Sequence, residues 1–365
     1  MGDSVSSGKR HYGIDALRIL SMFMIVSLHI LGKGGVLENT VLFSKQYHAA
    51  WFLETAAFCA VNCFALCSGF VGIQSKFRYS RIVLLWLQVI FYTLTIALLF
   101  SILSPELVTK DSWFNSFFPI MTGQYWYMTA YFGMFFFIPL LNSIVDTVPR
   151  RQMKFFMLAV FVLFCTLPNI LQADPFQLNG GYSMLWLCIL YIIGGYIQKY
   201  DIIDLMKRRT AALGFFAAVF FTWASKIVIE RITLHYFAEP DFGSTFFDYT
   251  SPTILLAAIC LFIFFAKTEY RNKAVTKIIS VFAPAALGVY IIHVNPFLFH
   301  HHLKGFAASF ANDNFIIMTI EVLGSAFIIY SICSVIDILR LKLFQLLKIS
   351  EFCRNIENRI FSKLK

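Results

Sequence analysis

At 365 residues, 59% of them hydrophobic and only 14% charged, the chain has too few polar side chains to cover a water-soluble globule. Its mean hydropathy is +0.71, and its formal charge of +10 comes from 30 Lys and Arg against 20 Asp and Glu. A basic excess of this kind orients membrane segments, so a nucleic-acid partner is not needed to explain it. The fold class expected is all-α: a polytopic membrane protein.

Ten apolar stretches near bilayer length begin around Ile14, Phe52, Ile82, Gln124, Phe155, Tyr182, Ala211, Ser251, Val281 and Phe315, each running about 16 to 24 residues. With the N-terminus inside, 23 of the 30 basic residues fall in cytoplasmic segments. Lys33, Lys45, Lys110, Arg231 and Lys304 fall in outer loops, and Arg18 and Lys226 remain inside spans. About ten transmembrane helices with both termini cytoplasmic are therefore expected. The chain divides into a cytoplasmic segment 1–13, a membrane domain 14–340 and a basic amphipathic cytoplasmic tail 341–365.

The first span, IDALRILSMFMIVSLHI, follows Lys9 and Arg10 as a secretory signal would, but it lacks a small-residue cleavage site and is expected to be retained. It carries Arg18 and His29. Ionisable groups in a bilayer are costly, so both are read as functional. Eleven positions bring them to within about 20° of one helix face and place them roughly 16 Å apart in depth. Asp15 is expected to pair with Arg18 at i,i+3 and hold the guanidinium.

Span two returns inward, with Glu54 near the depth of His29 and Ser68 and Gly69 near that of Arg18. Cys59, Cys63 and Cys67 recur every fourth residue and read as a packing stripe of small polarizable side chains. Arg78 and Arg81 follow at the inner face, where they can bind phosphate bidentately, although an inside loop would carry such residues for topology alone. Trp126, Tyr127, Tyr290 and His293 return to the outer third. There they could bind a sugar-like acceptor, or serve as interfacial anchors and, for His293, bond a neighbouring helix. The run His300, His301, His302 sits in an outer loop without a nearby cysteine or obvious carboxylate, and no metal is expected. The tail interleaves Leu341, Phe344, Leu347, Phe352, Ile356 and Ile360 with basic residues, as a helix lying on an anionic membrane surface would.

Two layers result, one rich in arginine and one offering an imidazole, a carboxylate and aromatic rings. At these residues the chain resembles the acyltransferase-3 family of integral membrane acyltransferases. The first span resembles the family's segment pairing an arginine with a histidine eleven positions on. VNCFALCSGFVG is similar to its FF-x-x-SGF segment, RYSR to its R-x-x-R, YWYMTAYFGMFFFIPLLN to its W-F/Y-L followed by proline, and LGVYIIHVNP to its Y-L-I-H-x-P. Asn62 stands where many members place Asp.

The resemblance implies transfer of an acyl group, often acetyl, from cytoplasmic acyl-CoA to a hydroxyl of a surface or lipid-linked polysaccharide at the outer face of the cell membrane. It gives Arg18, Arg78 and Arg81 the donor-binding roles and His29 the catalytic one. A pantetheine arm is of the order of the roughly 16 Å rise between Arg18 and His29. His29 then acts as general base on the acceptor hydroxyl, or is itself acylated first. Glu54 is the expected partner that fixes its tautomer, with a water-facing interfacial carboxylate as the other reading of that residue. The rival class is a transporter for glycans or small acids, which predicts an inverted repeat and helices broken at the midplane.

Overall fold

The computed structural model describes residues 10–362 and is built of helices, with no strand among the described residues. Lys9, Lys363 and Lys365, and most of the expected N-terminal segment, lie outside them. Ten apolar helices follow in chain order: α1 (Tyr12–Leu31), α2 (Lys45–Gly72), α3 (Ser80–Leu103), α4 (Trp126–Thr147), α5 (Arg150–Leu171), α6 (Met184–Lys199), α7 (Arg208–Phe237), α8 (Pro252–Ala266), α9 (Lys273–His293) and α10 (Phe315–Leu346). Eight are long and apolar enough to cross a membrane, while α6 and α8, of 16 and 15 residues, are shorter. Each coincides with one of the apolar stretches in the sequence. Helix α10 runs on to Leu346, so Leu341 to Leu346, expected in the tail, continue it. A further helix, α11 (Ile349–Ser362), follows.

Hydrocarbon offers no partner for a backbone N–H or C=O, so an apolar segment must satisfy those groups within itself, and a helix does so. Side-chain caps close several starts: Ser44 accepts from the Tyr47 amide at 3.0 Å, Ser183 from Trp186 at 3.2 Å and Asn314 from Ile316 at 2.9 Å. Pro284, lacking an N–H, sits in a 3₁₀ turn at Ala283–Ala285 within α9. The outer surface is apolar, with Leu98, Phe216, Ile320 and Phe327 each more than half exposed. Water would not tolerate such a belt; lipid does.

Helix α1 is the central post and packs against α2, α8, α9 and α10. Helices α2 and α6 approach unusually closely. A Cβ on Gly69 would collide with the backbone of Tyr191, and one on Gly194 with the backbone of Leu66 and Phe70. Small residues at a membrane helix crossing let the backbones touch, and dispersion then replaces the missing hydrophobic drive. The cysteine stripe serves the packing of α2 on α8, Cys63 Sγ donating to the Ala258 carbonyl at 3.8 Å.

Two buried charge clusters tie the remaining helices. Lys226 pairs with Glu230 within α7, lies 3.7 Å from the Trp51 ring centroid, and Tyr47 Oη donates to Glu230 Oε2 at 2.5 Å. On α10, Asp337 is wholly buried. Its Oδ1 accepts from Tyr92 Oη at 2.7 Å and Gln88 Nε2 at 3.2 Å on α3, and Arg340 Nη2 bridges both oxygens at 2.8 and 2.9 Å. In both clusters each charged side chain is hydrogen-bonded to its counter-charge, which is the condition for burying an ion pair without a large penalty.

Candidate active site

His29 lies in the last turn of α1 and His293 in the last turn of α9. His29 Nδ1 and His293 Nε2 are 2.9 Å apart, and His293 Nδ1 is 2.6 Å from the Val289 carbonyl one turn back. A carbonyl oxygen only accepts, so His293 Nδ1 carries a proton. With neutral rings His293 Nε2 is then an acceptor and His29 Nδ1 its donor, an assignment that follows from the partners. The lone pair left on the first ring is at His29 Nε2. The edge of His29 also meets Phe299, centroids 5.2 Å apart at 84°.

His29 lines a cavity of about 380 Å³ together with Glu54, Trp126, Tyr127, Tyr182, Tyr249 and Tyr290. Sequence reasoning expected Glu54 to be the partner that fixes the His29 tautomer; the structure puts His293 at hydrogen-bond distance from His29 Nδ1. The reason is helical register: α9 ends beside α1 and presents His293 at hydrogen-bond distance. Glu54 instead faces the cavity from α2, buried to 9% exposure, with Oε2 unpartnered. Tyr290 Oη is likewise buried without a partner. A carboxylate oxygen and a hydroxyl left over in a buried chamber are the complement of a polar ligand.

Aromatic faces form the rest of the wall. Trp126 and Tyr249 stack with centroids 6.0 Å apart at 20°, Tyr249 stacks on Phe58 at 4.9 Å, and Tyr182 lies 4.8 Å from Tyr249. Trp126 and Tyr127 had been expected here; Tyr182 and Tyr249 had not. Tyr182 and Tyr249 precede α6 and α8 in loops, and only their common depth could have suggested them. The volume and the mix of aromatic walls with a few polar groups are typical of a small-molecule site.

Arg18 and Arg81 line a second cavity, of about 400 Å³, with Ser68, Ser75, Tyr131 and Tyr191. Asp15 Oδ1 accepts from Arg18 at 3.5 Å, the i,i+3 pair read in the sequence, while Asp15 Oδ2 holds Arg10 at 2.6 Å. Arg78 is not on this wall. The two cavities share three side chains, Phe64, Tyr127 and Leu287. The arginine and histidine of α1 therefore open onto two chambers set end to end, with a common partition between them.

His300, His301 and His302 lie exposed in a short helical turn beyond α9. Among the described residues, no three His, Cys, Asp or Glu side chains are placed to share a metal ion.

The model of a family described as an acyltransferase domain, the acyltransferase-3 domain, matches residues 11–336. No curated protein and no solved structure matches the chain.

Proposed function

The chain belongs to the acyltransferase-3 family of membrane acyltransferases, and we propose that it moves an acyl group, acetyl in the first instance, from cytoplasmic acyl-CoA to a hydroxyl of a surface or lipid-linked polysaccharide at the outer face of the cell membrane. The observation that carries this reading is the pair of abutting cavities along α1, one lined by Arg18 and the other by His29. The excess of Lys and Arg in the segments read as cytoplasmic supports an arginine chamber on the inside and a histidine chamber on the outside.

In this reading Arg18 and Arg81 hold the phosphates of the donor, as guanidinium forks suit phosphate oxygens. The pantetheine arm passes the partition and brings the thioester to His29. His29 Nε2 takes the proton of the acceptor hydroxyl as its oxygen attacks the thioester carbonyl. The tetrahedral adduct collapses with cleavage of the C–S bond, and the departing thiolate takes the proton back from His29. General-base catalysis of this kind contributes typically 10² to 10⁴-fold. His293 supports the step by accepting the His29 Nδ1 proton, which keeps the lone pair on Nε2. Glu54 and Tyr290 supply unsatisfied polar groups for the acceptor, and Trp126, Tyr127, Tyr182 and Tyr249 supply faces on which a sugar ring can stack.

The test uses the purified protein in lipid discs with labelled acetyl-CoA and a membrane glycan fraction. Transfer of label that is lost in His29→Ala supports the proposal, and a labelled enzyme trapped in the native protein but not in this variant would make His29 the nucleophile rather than the base. Undiminished transfer by His29→Ala, or movement of glycan across the bilayer without acyl transfer, overturns it. The second outcome is the one a transporter gives.

A further inference from the structure

Helix α11 lies beyond the matched region and folds back against the start of α3. Its docking point is the R-x-x-R segment. Residues 76–78, which lead into that segment and include its first arginine, have no regular secondary structure. Tyr79, at the N-cap of α3, makes the two contacts that hold it from outside. Its amide donates to Glu357 Oε1 at 2.8 Å, and its ring stacks on Phe361 with centroids 5.3 Å apart at 12°. The first amides of a helix have no partner within it, and a carboxylate there also meets the positive end of the helix dipole.

The contact leads directly to the second cavity. Phe77 packs edge-on against Tyr79, centroids 4.9 Å apart, and Phe77 and Arg81 both line the chamber that Arg18 lines. The two arginines of the segment thus divide: Arg81 lines the cavity and Arg78 does not.

We propose that α11 is a positioning element of the donor site: Glu357 and Phe361 hold the turn before α3 so that Arg81 stays on the wall opposite Arg18. This rests on the donor reading of that cavity. Glu357 touches no substrate and acts through Tyr79 and Arg81.

Binding of coenzyme A and of pantetheine to the full chain in lipid discs tests it, in the native protein and in Glu357→Gln, Phe361→Ala and Arg81→Gln. Loss of a helix cap and an aromatic contact is expected to weaken coenzyme A binding roughly 3- to 10-fold in Glu357→Gln and in Phe361→Ala. Pantetheine, which lacks the nucleotide phosphates, should bind each of these two as it binds the native protein. An equal loss for both ligands marks general damage to the fold and overturns the proposal. So does native affinity for coenzyme A in both tail variants while Arg81→Gln loses it, an outcome that leaves the donor reading standing. Native affinity in Arg81→Gln as well removes the donor reading, and the brace with it.

Discussion

His29 Nδ1 stands 2.9 Å from His293 Nε2, and the far nitrogen of His293 is held by its own helix at the Val289 carbonyl. Two imidazoles and a carbonyl thus form a chain with one direction of proton donation, from His29 through His293 to the Val289 carbonyl, which leaves the Nε2 lone pair of His29 free. No carboxylate is needed to fix the tautomer. Replacing His293 by Ala should leave donor affinity unchanged and lower kcat by about 10², the lower end of what a positioned base contributes, while His29→Ala loses transfer altogether. Steady-state rates with labelled acetyl-CoA measure both. Full activity in His293→Ala would remove the relay.

Glu54 offers the cavity a carboxylate oxygen with no protein partner. A hydrogen bond to a charged group contributes about 1.5 to 3 kcal/mol, so Glu54→Gln should raise KM for the acceptor about 10- to 100-fold and leave KM for the donor alone. Kinetics with each substrate varied in turn separate the two. A changed donor KM with an unchanged acceptor KM would contradict the assignment.

Gly69 and Gly194 set the distance between α2 and α6. Neither position has room for a Cβ, since the obstacle on each is backbone that cannot rotate away. Gly194→Val should destabilise the protein by about 1 to 3 kcal/mol or more, as overpacking does. Thermal unfolding in detergent reads this directly, and an unshifted midpoint would mean that the helices can part at no cost.

Asp337 and Arg340 form a buried pair that also binds Gln88 and Tyr92. Removing one partner strands the other: Asp337→Ala should cost about 3 to 5 kcal/mol, whereas replacing both with apolar residues of similar volume should cost much less. A double-mutant cycle on detergent stability decides it, additive losses being the contrary result.

Glu357 titrates outside the membrane helices. Burial pushes its carboxyl up, but the Ser80 hydroxyl, the amides of Tyr79 and Ser80 and the Arg78 guanidinium outweigh this and leave it below the ordinary value of 4.5. A carboxyl whose value is depressed in the folded state stabilises the docked tail at pH above 4.5, and that contribution disappears as the pH falls through the depressed value. Protease cleavage of α11 should therefore accelerate on acidification below pH 4.5 and not between pH 5 and 8. Glu357→Gln should cleave fast at every pH.

The membrane class and the apolar helices were legible because hydropathy is a local property, and each of the stretches starting from Ile14 to Phe315 became a helix. Arg18 and His29 were legible for the same reason: a charge and an imidazole stand out in an apolar run. Partners across helices were not. His293 was visible as an outer-layer residue, yet its contact with His29 depends on the rotation of α9 about its axis, which no spacing within one helix encodes. Arg78 and Arg81 look alike in the sequence, yet in the folded chain Arg81 lines the second cavity and Arg78 does not. Asp337 and Arg340 carried a signal that could have been taken, two opposite charges at i,i+3 near the end of an apolar helix.

Phe64, Tyr127 and Leu287, the side chains common to both chambers, carry a burden unrelated to recognition. Two cavities joined without a barrier would make a wet channel through a membrane protein, and the partition common to both is two rings and a branched alkyl group, thin enough for its electrical resistance to be measured. The leak conductance of a Phe64→Ala, Leu287→Ala protein would report how much of that insulation these two residues provide.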